Sequence, residues 1–142
     1  MNKRHNWDNI EIATQSIANL YFEENQILKG IPEEFITQDM CDVYFNKMKK
    51  LSYIPNKFIT KQMVDTFFLE SNMLISVPNE FITQEMVNTY FNNYKLLAGI
   101  PENFITQEMC EIYFNEFKTI YDIPKQFITK DIENQYLLMN EC

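Results

Sequence analysis

From residue 31 the chain repeats itself. "IPEEFITQDMCDVYFNKMKKLSY" (31–53) is followed by "IPNKFITKQMVDTFFLESNMLIS" (54–76), "VPNEFITQEMVNTYFNNYKLLAG" (77–99) and "IPENFITQEMCEIYFNEFKTIYD" (100–122). A fifth copy occupies 123–142 and is three residues short. A degenerate copy lies over 8–30; it keeps Thr14, Gln15, Ile17, Tyr21, Phe22 and Leu28 in register but lacks the Pro and the Phe. A fixed period of roughly 20–50 residues is the signature of an array of structural units. It therefore restricts the fold before composition is considered.

Across the copies, apolar residues recur at repeat positions 10, 11, 14, 15, 18 and 21. Spacings of three and four mark one face of an α-helix. Strict alternation fails, because position 12 is Asp, Asn or Glu in every clear copy. The Thr of the constant Phe-Ile-Thr (Thr37, Thr60, Thr83, Thr106, Thr129) suits an N-cap, its hydroxyl accepting from a free backbone N–H. Acidic residues soon after the Thr suit the positive end of the helix dipole. The Ile before each cap (Ile36, Ile59, Ile82, Ile105) is spaced to pair with Cys41, Val64, Val87 and Cys110 as a hydrophobic staple. The helix is expected to run until the next Ile-Pro, since a residue before proline is driven out of helical conformation. That is about 14 residues, roughly 21 Å.

The Pro-x-x-Phe stretch before the Thr is long enough for one or two turns, 3-10 turns included. Six apolar side chains cannot by themselves offset the entropy of ordering 23 residues. Each unit must therefore cover its neighbour's apolar face. The expected fold is all-α: an α-solenoid of tandem 23-residue short-helix/long-helix repeats, with 1–7 as a tail and 8–142 as one repeat domain. A leucine-rich repeat shares the period, but it requires Asn where Met48 stands. The Phe residues (Phe35, Phe58, Phe81, Phe104, Phe127) are expected to serve with the Thr caps as scaffold. On that basis Phe81→Ala would leave a core cavity costing ~3–5 kcal/mol.

The net charge is −8, so the basic footprint of a nucleic-acid or anionic-membrane binder is missing. No run of 18 apolar residues is present, nor a stretch resembling a signal peptide. No nucleic acid and no membrane are therefore expected as partners. Of the three cysteines, Cys41 and Cys110 share a repeat position with Val64 and Val87, which reads as a small buried hydrophobe. With Cys142 the count is odd and no Cys-x-x-Cys occurs, so disulfides are not expected. The chain is placed in a reducing compartment, cytoplasmic and not secreted.

The unit "IPxxFITxxM…YF", with its Pro, its Thr and the Met-Cys pairs of "DMC" (39–41) and "EMC" (108–110), resembles the short repeats of uncharacterised proteins from amoeba-infecting giant viruses of the mimivirus group. Similar helical-hairpin units occur in a domain of unknown function in amoeba-associated bacteria. The resemblance covers 31–142 well and 8–30 weakly. It implies a helical repeat fold and no known activity, so no catalytic residue is carried over. Plentiful Asn, Ile, Lys and Phe beside scarce Ala and Gly fit an AT-rich genome.

The residues give no catalytic, cofactor or metal constellation. His5 is the lone histidine, in a polar stretch read as solvated. Neither metal-ligand spacing nor a phosphate-cradling glycine loop is present. The acidic pair Glu33–Glu34 reads as a solvated face. The tyrosines at repeat position 14 read as core, their hydroxyls bonding between neighbouring units. No cofactor is expected and the chain is not expected to be an enzyme. What stands out is a fixed frame with variable exposed positions (3, 4, 8, 9, 12, 16, 17), a pattern that suits protein–protein interaction. The last copy also departs from the rest: positions 15–17, Phe-Asn-Lys in the first clear copy, become Leu137, Leu138 and Met139. An apolar patch there is a candidate self-association interface, with a homodimer about a two-fold axis as the simplest outcome. A structural part of a viral particle or host-remodelling assembly is the alternative.

Overall fold

The computed structural model describes residues 5–141. Among these residues there are six α-helices and no strand: α1 (Gln15–Asn25), α2 (Gln38–Met48), α3 (Lys61–Ser71), α4 (Gln84–Tyr94), α5 (Gln107–Phe117) and α6 (Lys130–Met139). Each follows a three-residue 3-10 turn, Trp7–Asn9 before α1 and then Glu33–Phe35, Asn56–Phe58, Asn79–Phe81, Glu102–Phe104 and Lys125–Phe127. The chain divides into two compact units, Met1–Leu69 and Glu70–Cys142.

The 3-10 turns form because proline, lacking an N–H, opens the turn with its carbonyl free. Phe35 N–H donates to the Pro32 carbonyl and Ile36 N–H to the Glu33 carbonyl, at 2.9 and 3.1 Å, and the pair recurs at Phe58/Ile59 and Phe104/Ile105. The Thr then caps. The Met40 N–H donates to Thr37 Oγ1 at 3.2 Å, and Thr14, Thr60, Thr83, Thr106 and Thr129 repeat the bond.

The long helices are shorter than their sequence spacing suggests. Most have 11 residues, about 16 Å, and they stop well before the next Ile-Pro. At repeat position 19 the chain turns left-handed, with φ of 54° to 57° at Gln26, Lys49, Asn72, Lys95 and Lys118. This reversal sends position 21 inward: Leu28, Leu51, Leu74 and Leu97 are buried. The carbonyl of that residue then accepts the N–H of the next unit's first residue, as in Ile54 to Leu51 at 3.2 Å. Burial of this leucine offsets part of the local strain of a non-glycine residue at positive φ.

The core is built from repeat positions 1, 6, 10, 11, 14, 15 and 21, for example Ile31, Ile36, Met40, Cys41, Tyr44, Phe45 and Leu51. Both ends of each staple are buried. Two parts of the sequence reading are corrected here. The Phe of Phe-Ile-Thr is half-buried at Phe35, Phe58, Phe81, Phe104 and Phe127, whereas the following Ile enters the core at Ile36, Ile59, Ile82 and Ile105. Phe58 keeps one face open enough for the Lys57 ammonium to sit 5.1 Å from its ring centre. Position 18 also lies at the margin, with Met48, Tyr94 and Phe117 exposed.

Candidate functional site

One interaction joins consecutive units through a residue that the sequence reading assigned to the exposed, variable set. At repeat position 8, Gln38 Nε2 donates to the Phe58 carbonyl of the next unit at 3.0 Å, and also to Asp42 Oδ1 on its own helix. Gln15 does the same to the Phe35 carbonyl and Gln107 to the Phe127 carbonyl. The amide thus satisfies a carbonyl at the end of the neighbour's 3-10 turn. Lys61 replaces Gln at this position and pairs with Asp65 at 2.8 Å. The spacing alone could have raised the question, since Gln recurs at position 8 in four of six copies.

Where two helices meet, a groove opens. Between α2 and α3 it encloses about 530 Å³, with Phe45 at its floor and Asp42, Asn46, Thr60, Met63 and Thr66 along its sides. Between α5 and α6 the same repeat positions form a groove of about 490 Å³, now Phe114, Glu111, Asn115, Thr129, Ile132 and Gln135. The same repeat positions line both: 12, 15 and 16 of one unit and 7, 10 and 13 of the next. The linings are polar, with Asp42 and Lys49 in the first and Glu111 and Asp131 in the second, and neither holds a histidine or cysteine, so they offer a binding relief and no nucleophile.

The position-14 hydroxyls do not bridge units as expected; they close the turn of their own unit. Tyr90 Oη donates to the Ala98 carbonyl at 2.8 Å and Tyr21 Oη to the Lys29 carbonyl at 3.0 Å. Tyr113 Oη donates to Asp122 Oδ2 at 3.1 Å, and burial together with that carboxylate pushes its phenol up to about 12. Next to the tyrosine, position 23 is glycine in two copies. At Gly30, with φ of 96°, an added Cβ would come within 3.3 Å of Tyr21 Oη.

Cys41 and Cys110 are fully buried free thiols. Burial pushes them up to about 12 and about 11, so they are poor nucleophiles. Cys142 lies outside the described residues. No group of three or more His, Cys, Asp or Glu side chains able to hold a metal ion occurs among the described residues. Nor is any helix there long and apolar enough to cross a membrane. Glu33 and Glu34 are exposed on their 3-10 turn.

His5 is not simply solvated. Its backbone N–H and its Nδ1 meet the two Glu24 carboxylate oxygens at 2.8 and 2.7 Å. The backbone bond, followed by the imidazole, holds the Glu24 carboxyl below the usual carboxylate range. Trp7 packs edge-on against Tyr21 with ring centres 5.0 Å apart. Residues 5–7 thus lie along the later turns of α1.

The sequence-selected apolar patch is on the surface. Leu137, Leu138 and Met139 near the end of α6 are 56%, 65% and 46% exposed. Leu137 occupies position 15, where Phe22, Phe45, Phe91 and Phe114 are buried. No later unit covers it among the described residues. No family model, curated protein or solved structure matches the chain.

Proposed function

We propose that this chain is a non-catalytic helical-repeat protein, a solenoid of short-helix/long-helix units that acts as a protein–protein interaction module and associates with copies of itself through α6. The observation that carries the reading is the exposure of Leu137 at a repeat position whose other occupants are core. An uncovered face of this kind, extended by Leu138 and Met139, is the surface that a protein partner dries most profitably. The net charge of −8 argues against nucleic acid as the partner. Two buried thiols suit a reducing compartment such as the cytoplasm. The grooves, rimmed by Asn, Thr and acids, supply relief for recognition without the base–nucleophile pair that covalent catalysis needs.

A pair of copies about a two-fold axis is the simplest form of this association. A second reading is a structural component of a viral particle or host-remodelling assembly; it draws on the resemblance of the repeat to those of giant viruses and on the same uncovered end. Light scattering at micromolar concentration tests the proposal. A mass above 17.1 kDa that falls to the single-chain value in Leu137→Asp supports it, and a single-chain mass for the wild type overturns it.

A further inference from the structure

The 3-10 turn before α1 stands at Trp7–Asn9, where the register of the other copies would place it at 10–12. It closes on itself. The Asn6 side chain accepts the Asp8 N–H at 3.1 Å, and the Ile10 N–H returns to the Trp7 carbonyl at 3.2 Å. The segment 5–9 is then fastened to α1 at two points: both Glu24 carboxylate oxygens engage His5, and the Trp7 ring stands edge-on to Tyr21.

Glu24 holds repeat position 17. Its side chain is 13% exposed, whereas Lys47, Glu70, Asn93, Glu116 and Met139 at the same position are exposed. Five copies therefore form their helices with this flank open, and α1 alone has it covered. The helix does not depend on the cover.

What holds the segment is slight. No residue of Trp7–Asn9 is buried, and the His5 side chain is half exposed. Trp7 Nε1 is shut off from water without a hydrogen-bond partner, which counts against the closed position, and it only weakly favours the nearby Glu24 carboxylate. The hold thus comes down to one carboxylate and one ring contact. A segment with so few buried contacts opens at a free energy well below that of the whole fold.

We infer that residues 5–9 are a strap latched by Glu24: closed, it conceals the Tyr21–Glu24 flank of α1, and it opens on its own while the helices stay folded. The strap gives α1 two surfaces, a covered one and the open one that the other copies present at position 17.

Trp7 is the chain's single tryptophan, so its fluorescence reads the strap while far-ultraviolet circular dichroism reads the helices. A urea titration of the 142-residue chain followed both ways tests the inference. The tryptophan emission should move to the red, and its quenching by acrylamide should rise, at a lower urea concentration than the loss of helix. In Glu24→Ala the emission should already be red and freely quenched in buffer, with the helix transition at its wild-type midpoint. Coincident transitions in the wild type would make the strap part of the cooperative fold and overturn the inference. An unchanged emission in Glu24→Ala, or a loss of helix in that variant, would overturn it too, and so would a wild-type tryptophan that is freely quenched without urea.

Discussion

Gln38 Nε2 lies 3.0 Å from the Phe58 carbonyl oxygen, twenty residues along the chain and in the next repeat. The bond ties the start of one long helix to the end of the following 3-10 turn, so at Gln15, Gln38 and Gln107 part of a neighbouring turn's polar satisfaction is supplied by the preceding unit. Gln38→Ala should lower stability by about 1 kcal/mol, the net worth of one hydrogen bond. Gln62→Ala, on the same surface but exposed, should stay within about 0.5 kcal/mol. Urea unfolding of both variants measures the difference; equal midpoints would remove the clamp from the account.

Thr83 caps α4 through the Met86 N–H at 3.2 Å. Thr83→Ala should cost about 1 kcal/mol, and Thr83→Ser should recover most of it because serine presents the same oxygen. The check is again the urea midpoint, with the Ser variant separating the cap from the packing of the Thr methyl.

The Phe residues divide by repeat position. Phe114 is 1% exposed, and Phe114→Ala should cost ~3–5 kcal/mol through lost burial and a residual cavity. Phe81 is half-buried on its 3-10 turn, so Phe81→Ala should cost only about 1–2 kcal/mol, less than its constancy in the sequence implied. Thermal melts in parallel rank the two, and a larger loss at Phe81 would reverse the assignment.

That reversal shows where sequence legibility ended. Helix starts were readable, because a Thr before an apolar period carries its own mechanism, and Thr37 through Thr129 all cap as expected. Burial at positions 10, 11, 14 and 15 was readable from spacing. The helix ends were not: Lys49, Lys95 and Lys118 adopt the left-handed conformation usually signalled by glycine. The partner of Gln38 was hidden for a different reason, since a polar residue near a helix start looks solvated until the neighbouring turn is placed beside it. For the α6 patch, composition alone located Leu137 and Leu138.

Cys41 and Cys110 should resist alkylation in the folded protein. With both thiols buried and pushed to about 12 and about 11, iodoacetamide at neutral to mildly alkaline pH should leave their peptides unmodified until denaturant is added. Mass mapping of the two peptides reads this directly. Rapid native labelling of Cys41 would contradict its place in the core.

Tyr113 sets an alkaline limit. Its phenol rises from an ordinary 10.0 to about 12 in the fold, so folding favours the neutral form. The contribution of this group is complete below the unfolded value and is lost as pH rises through the folded one. Between pH 10 and 12 the stability of the wild type should therefore fall more steeply than that of Tyr113→Phe, which has no phenol to ionise. Denaturant titrations across that window give both slopes, and parallel slopes would refute the assignment.

The most direct test of the account compares the whole chain with the isolated 77–99 peptide by far-ultraviolet circular dichroism and urea titration. Shared burial between neighbours predicts a helical, cooperatively unfolding chain and a peptide with little helix and no sigmoidal transition. A lone 77–99 peptide that folds and unfolds cooperatively would show that each copy holds its own core, and the account would fail.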